Sequence, residues 1–281
     1  MIPQNFEYSS PATLQEALAL LADGRAKVLA GGMSLIPLMK LRLAAPEHVV
    51  DMSRVPGLAF IQQAQDGIHI GAMTTHYQIE SSPVLRSGCP LLAETASHIG
   101  DVQVRNMGTI GGSVAHSDPA ADYPAALFAL EARVRLAGAR GERTLAIGDF
   151  LVDTFTTALE PGEIVVEIVV PVESGAAGVS YQKMQQPASG FAIVGAAARV
   201  ERSNGGIGFV RVGITGLASK AYRAANVESI LQSTGDIEKA AAVAADGVDA
   251  NSDLNASADY RRHMARVYTA RALRQALART S

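Results

Sequence analysis

The sequence predicts an α+β fold in two parts, on three observations. Short strand-like runs and helical stretches are mixed without a regular βαβ alternation, which argues against a doubly wound sheet. The stretch Pro171 to Gly178 is rich in small and turn-forming residues and divides the chain. Beyond it lie three β-rich runs and then an alanine-rich helical tail.

Each element has a local reason. Thr13-Leu14-Gln15-Glu16 has the form of a capping box ahead of Leu14, Ala17, Leu18 and Leu21, which share one helical face, and Asp23-Gly24 stops that helix. Lys27 to Ala30 reads as a short strand running into Gly31-Gly32. Ser34 is placed to cap a helix from Leu35 to Leu41, with Pro37 early enough to be tolerated. His48 to Asp51 is another strand, and Leu58–Gln62 and Ile68–Ala72 flank the hairpin signal Asp66-Gly67. Pro90 to Ile99 has helical apolar spacing, with Gly100 as its stop. A helix near Tyr123–Glu131 precedes strands at Arg133–Ala137, Arg143–Ile147 and Glu163–Val170. After the divide come strands at Val179–Met184, Ala192–Glu201 and Gly208–Thr215. Asn204-Gly205-Gly206 turns between the last two, and an amphipathic helix runs from Ala258 to Ala278.

Composition excludes several functions. The 281 residues are 48% hydrophobic and 18% charged with a net charge of −3, so no electrostatic grip on nucleic acid or an anionic membrane is expected. No apolar run approaches the roughly 20 residues of a membrane span. The first residues lack the pattern of a secretory signal, which makes the cytoplasm the expected location. Cys89 is the only cysteine, so an iron–sulfur cluster held by this chain's own thiolates, needing about four ligands, is excluded. The six histidines are scattered, and no metal site is expected. Redox chemistry here needs an organic cofactor or partner chains.

Two segments carry the functional signal: Ala30-Gly31-Gly32-Met33-Ser34-Leu35 and Thr109-Ile110-Gly111-Gly112-Ser113. Each sets two adjacent glycines between regular elements, followed closely by a serine. Glycine permits positive φ and leaves no side chain in the way, so consecutive peptide N–H groups can converge on an anion. A serine hydroxyl and a helix start at Ser34 add donors. Such a cradle suits a pyrophosphate. A pair of tight turns is the plainer alternative, and neither segment matches a standard nucleotide fingerprint. In the following segment, His116 to Pro124, Asp122 is read either as a helix cap, favoured on spacing alone, or as an acceptor for a ligand hydroxyl.

At these residues the chain resembles the FAD-binding medium subunit of the carbon monoxide dehydrogenase and xanthine dehydrogenase family of molybdenum hydroxylases. The resemblance spans essentially the whole chain. Its most specific stretch is Gln103 to Ser113 followed by His116 to Pro124, and it includes Ala30 to Leu41 and Ile70 to Thr75. It implies an FAD-binding domain of the PCMH type over residues 1–175, built of two α+β subdomains. A smaller domain of the CO dehydrogenase flavoprotein C-terminal type, over residues 176–281, would follow with a three-stranded antiparallel sheet and helices. It implies FAD held by Ala30, Gly31, Gly32, Met33, Ser34 and Leu35, by Thr109, Ile110, Gly111, Gly112 and Ser113, and by Asp122. Lys183 would lie near the flavin ring, where its charge favours a negatively charged reduced flavin; Ile99 and Ile164 would touch the ring or adenine, although each also reads as core.

The resemblance further implies two partner chains. A molybdopterin-binding large subunit would oxidise the substrate, and a small subunit would carry two 2Fe-2S clusters, in a heterotrimer dimerised to a heterohexamer. Electrons would reach FAD one at a time and leave to an external acceptor, with no catalytic acid, base or nucleophile in this chain. Three departures from the family pattern stand out: Met33 replaces a frequent polar residue, Val102 replaces a frequent proline, and Gln185 to Phe191 lacks charged residues. The last bears on the electron acceptor rather than on FAD. The rival readings are a self-contained FAD oxidase and a scaffold subunit that has lost its flavin.

Overall fold

The computed structural model describes residues 2–173, 176–203 and 205–280. Ser174 and Gly175 of the expected divide, and Asn204 of the expected hairpin turn, lie outside the described residues. The chain opens with β1 (Glu7–Ser9), α1 (Leu14–Leu21), β2 (Ala26–Leu29), α2 (Leu35–Lys40) and β3 (His48–Asp51). These three strands form a parallel sheet in the order β1-β3-β2. Of this opening βαβ stretch, β1 alone has no counterpart in the sequence pattern. Its three residues are too few to show an alternation. Thr13 caps α1 through its hydroxyl, but the Glu16 carboxylate bonds Ala12 N rather than Thr13 N, so the capping box is displaced by one residue.

A five-stranded antiparallel sheet follows, ordered β4-β5-β10-β6-β7. It is built from β4 (Ile61–Ala64), β5 (Gly67–Gly71), β6 (Arg133–Gly138), β7 (Gly141–Ala146) and β10 (Ile164–Val170). Between β5 and β6 the chain makes α3 (His76–Ser81), α4 (Pro83–Gly88), α5 (Pro90–Ser97), α6 (Val102–Met107), α7 (Ile110–His116) and α8 (Tyr123–Ala129). A short α9 (Ile147–Phe150) and the hairpin β8 (Leu151–Asp153) and β9 (Thr156–Thr157) precede β10. The helices bury Ile79, Leu91, Leu92, Ile110, Val114 and Leu127 against Ile68, Ile70 and Ile168 of the sheet.

The C-terminal third is a four-stranded antiparallel sheet of β11 (Gly178–Gln185), β12 (Ala192–Ser203), β13 (Gly206–Thr215) and β14 (Tyr222–Arg223). The two-residue β14 is a fourth strand beyond the three expected; it pairs only through Gly213–Arg223 and Ile214–Tyr222. Helices α10 (Ala225–Thr234), α11 (Ile237–Ala242) and α12 (Ala258–Ala278) cover one face. Strand alternation sorts the side chains. Val194, Ala196, Ala198, Val210, Val212 and Ile214 pack under those helices, while Val179, Tyr181 and Ala197 join the core of the preceding part. Gly213 permits a close approach to the preceding part, since a Cβ there would overlap the Ala125 carbonyl of α8. Among the described residues no helix is long and apolar enough to cross a membrane.

Candidate cofactor site

The turn between β2 and α2 is a run of unengaged donors. The N–H groups of Gly31, Gly32, Met33, Ser34 and Leu35 bond no acceptor among the described residues, while the carbonyls of Gly32 and Ser34 take Ile36 N and Leu38 N. Gly32 sits at φ +73°, which turns the run back on itself. Ser34 holds the N-cap position of α2, yet its hydroxyl makes no capping bond. Five adjacent amides without partners are costly if buried dry, and they suit an anion.

The second glycine pair differs from its expectation. Gly111 and Gly112 are not a loop and carry no positive φ; they form the first turn of α7. The amides around them are engaged. Ile110 N bonds Thr74 O, Gly111 N bonds Ala72 O, Gly112 N bonds the Thr109 hydroxyl, and Ser113 N bonds Thr109 O. Glycine is needed there for closeness. A Cβ on Gly111 would sit 2.7 Å from Ala72 O, and one on Gly112 would sit 3.4 Å from the Ala30 Cβ. A Cβ on Gly31 would overlap Met107 O and lie 2.7 Å from the Gly108 Cα. The two segments are therefore in contact, and they form one amide nest against a helix wall rather than two nests. Ser113, half-buried on α7, adds a hydroxyl with no partner among the described residues.

Asp122 corrects the reading favoured on spacing. It precedes α8 but makes no capping bond. Its carboxylate instead accepts from the Tyr181 hydroxyl at 2.5 Å and from Lys183 Nζ at 3.0 and 3.1 Å. Lys183 is not a solvated strand lysine either: its side chain is 1% exposed. Its ammonium also donates to His98 O at 2.6 Å and to Gly190 O at 2.7 Å. Burial pushes the Asp122 carboxyl up to about 6, against the opposing pull of Lys183 and Tyr181. Sequence reading missed Tyr181, His98 and Gly190. The signal for Tyr181 was present: residues two apart on a strand share a face, so Tyr181 points where Lys183 points.

The two apolar candidates separate. Ile99 is half-buried beside this cluster, its carbonyl held with that of Gly100 by Arg105, whose guanidinium also pairs with Glu80. Ile164 is fully packed in the core with Ala17, Leu21, Val50 and Val166, so its side chain is not offered to a ligand.

His76 supports the wall from behind. It is buried, its Nδ1 lies 3.1 Å from the Tyr123 hydroxyl, and its ring fills the space that a Cβ on Gly108 would need. Burial, with the nearby Arg105 charge, lowers its pKa to about 4. The folded state therefore favours neutral imidazole. Its contribution is complete above the unfolded pKa of about 6.5 and is lost as pH falls toward 4, by about 3 kcal/mol. We expect His76→Asn to be less stable than wild type at pH 7 and to lose about 3 kcal/mol less between pH 6.5 and 4. Urea unfolding of both proteins at the two pH values checks this, and Asp122 titrates in both and cancels.

Comparison with known proteins gives the family. Residues 4–173 match the family described as the FAD binding domain in molybdopterin dehydrogenase, and residues 179–276 match the CO dehydrogenase flavoprotein C-terminal domain. The carbon monoxide dehydrogenase medium chain of Hydrogenophaga pseudoflava is 41% identical, with 99% of each chain covered. Subunit alpha of the 6-hydroxypseudooxynicotine dehydrogenase complex of Paenarthrobacter nicotinovorans is 38% identical, over 99% of this chain and 97% of that one. The solved carbon monoxide dehydrogenase of Hydrogenophaga pseudoflava lacking the Mo-pyranopterin moiety superposes with a TM-score of 0.97 at 41% identity over the whole of both chains. An amide run without acceptors among the described residues, packed so closely at Gly31 and Gly111 that neither position admits a Cβ, fits the diphosphate of a dinucleotide. The chain belongs to the family of FAD-binding medium subunits of molybdopterin dehydrogenases, oxidoreductase components whose cofactor is FAD.

Proposed function

We propose that this chain is an electron relay. It would receive electrons from the 2Fe-2S clusters of a small partner and pass them to an external acceptor, while a molybdopterin-binding large subunit oxidises the substrate. The assembly we propose is a heterotrimer dimerised to a heterohexamer. The observation that carries the reading is the run of five unengaged amides at Gly31 to Leu35. Bound FAD supplies the chemistry, accepting electrons singly and delivering them singly or in pairs.

The chain's own residues do the holding. The amides of 31–35 take the diphosphate, and the Ser34 and Ser113 hydroxyls add two donors. Thr109 fixes the first turn of α7 by capping it. Asp122 and Lys183, tied to each other, border the site beside the His98–Gly100 turn. The single cysteine, Cys89, is buried in the helical core, so cluster ligands must come from another chain.

The visible absorption spectrum of the complex purified from its native host tests the reading. Flavin bands at one equivalent per chain are expected, with co-purifying molybdenum and iron. A colourless chain that takes up no added FAD would refute it, and steady oxidation of an organic substrate by the chain alone would favour the self-contained oxidase. Ser34→Ala is expected to weaken FAD binding about 2- to 12-fold, the worth of one net hydrogen bond of about 0.5–1.5 kcal/mol. Fluorescence titration of flavin-stripped protein reads this directly.

A further inference from the structure

Arg105 lies inside the most specific stretch of the sequence and outside the set of residues that hold the cofactor. It sits on α6 with its side chain 17% exposed. Its Nε donates to the Glu80 carboxylate of α3 at 2.9 Å. Its Nη1 donates to Ile99 O at 3.1 Å and to Gly100 O at 3.3 Å. No other donor among the described residues reaches these two carbonyls. The turn is shaped to present them. The N–H groups of His98 and Ile99 are spent on Thr95 O and Ala96 O at the end of α5. Gly100, at φ +49°, then folds the chain back over Val104, with its Cβ position 2.8 Å from the Val104 Cβ. Asp101 opens α6 by accepting from Val104 N through its carboxylate and from Arg105 N through its carbonyl.

The other end of α6 touches the amide run. A Cβ on Gly31 would overlap Met107 O and lie 2.7 Å from the Gly108 Cα. Helix α6 therefore stands between the diphosphate cradle at Gly31 to Leu35 and the turn that carries Ile99, and Arg105 fastens the turn to it. We propose that Arg105 is a positioning residue: its guanidinium sets the spacing between the diphosphate cradle and the His98–Gly100 wall, so that one FAD reaches both. A lysine cannot take its place. An ammonium is a single point of donors, whereas the guanidinium fork spans from a carboxylate on α3 to two carbonyls ahead of α6. The inference rests on the proposed binding of FAD in this cleft.

The test is R105K in the flavin-stripped complex, titrated with FAD and, separately, with inorganic pyrophosphate. FAD affinity is expected to fall about tenfold or more, equivalent to about 1.4 kcal/mol. Pyrophosphate needs the cradle alone, and its affinity is expected to stay within about twofold of wild type. Equal weakening of both would make Arg105 a mere support of the cradle, and unchanged FAD affinity would make the hold on the turn irrelevant; either result overturns the proposal. E80Q keeps the two carbonyl bonds and is expected to weaken FAD less than about threefold. A loss as large as that of R105K would assign the effect to the ion pair with α3 and overturn the proposal too. Hydrogen exchange of the His98 and Ile99 amides in flavin-free protein is expected to quicken about tenfold or more in R105K and not in E80Q. Unchanged exchange in R105K overturns the proposal whether or not flavin binds. Wild-type complex that takes up no FAD sinks the FAD reading instead, and the exchange result then decides whether Arg105 holds the turn. If R105K does not assemble, R105Q takes the same measurements.

Discussion

Gly31→Ala is expected to leave the complex with less than a tenth of the wild-type flavin after desalting. The argument is steric and local. The new Cβ would overlap Met107 O and stand 2.7 Å from the Gly108 Cα, and both are backbone atoms that cannot swing away as a flexible side chain would. The 31–35 turn must therefore move off the end of α6. A tenfold loss corresponds to only about 1.4 kcal/mol, which displacement of several amides from one anion readily exceeds. Gly112→Ala is the contrasting case. Its Cβ would meet Ala30 Cβ at 3.4 Å, ordinary contact, and the Thr109 hydroxyl at 2.9 Å, a single side-chain atom that can turn aside at the cost of its α7 cap bond. Flavin absorbance per chain in the two variants checks the pair. Equal retention would mean that the seam between the two segments is not where the cofactor is held.

That contrast shows what the sequence made legible. The glycine-pair signal picked out two segments that the fold brings into contact, and boundaries such as His48–Asp51 and Ala258–Ala278 follow directly from local pattern. The chemistry of the second pair was not legible. Glycines inside a helix are unfavourable by propensity, so Gly111-Gly112 reads as a loop. What overrides propensity is in part local, the Thr109 cap two residues earlier, and in part tertiary, the approach of Ala72 just beyond the end of β5, which leaves no mark near residue 111. Asp122 failed for the same reason. A local capping partner was sought, while its partners Tyr181 and Lys183 lie 59 and 61 residues away. The α+β class survived these errors because it depends on the order of elements and not on the ends of any one of them.

Asp122→Ala should be the most destabilising single change at the site, lowering unfolding free energy by about 3–5 kcal/mol at pH 7. The reason is what it leaves behind. Lys183 would keep a charged ammonium in a place 1% exposed, with two carbonyls as partners and no counter-ion, and the Tyr181 hydroxyl would lose its acceptor inside the core. The upward displacement of the Asp122 carboxyl to about 6 shows that the intact pair does not fully offset its own burial. This does not conflict with a large penalty for breaking it, since removing one ion exposes the uncompensated desolvation of the other. The pH dependence separates the two effects. A carboxyl whose folded pKa is raised gives stability that is complete below its unfolded value of about 3.9 and is lost as pH rises through about 6. The gap between wild type and Asp122→Ala should therefore widen as pH falls from 7 to 5, while D122N/K183M should be closer to wild type than Asp122→Ala at pH 7. Urea denaturation of the three proteins at pH 5 and 7 decides it. A loss below 1 kcal/mol in the single variant would mean that Lys183 sheds its proton or reaches water, and that the pair is not the joint on which the site is assembled.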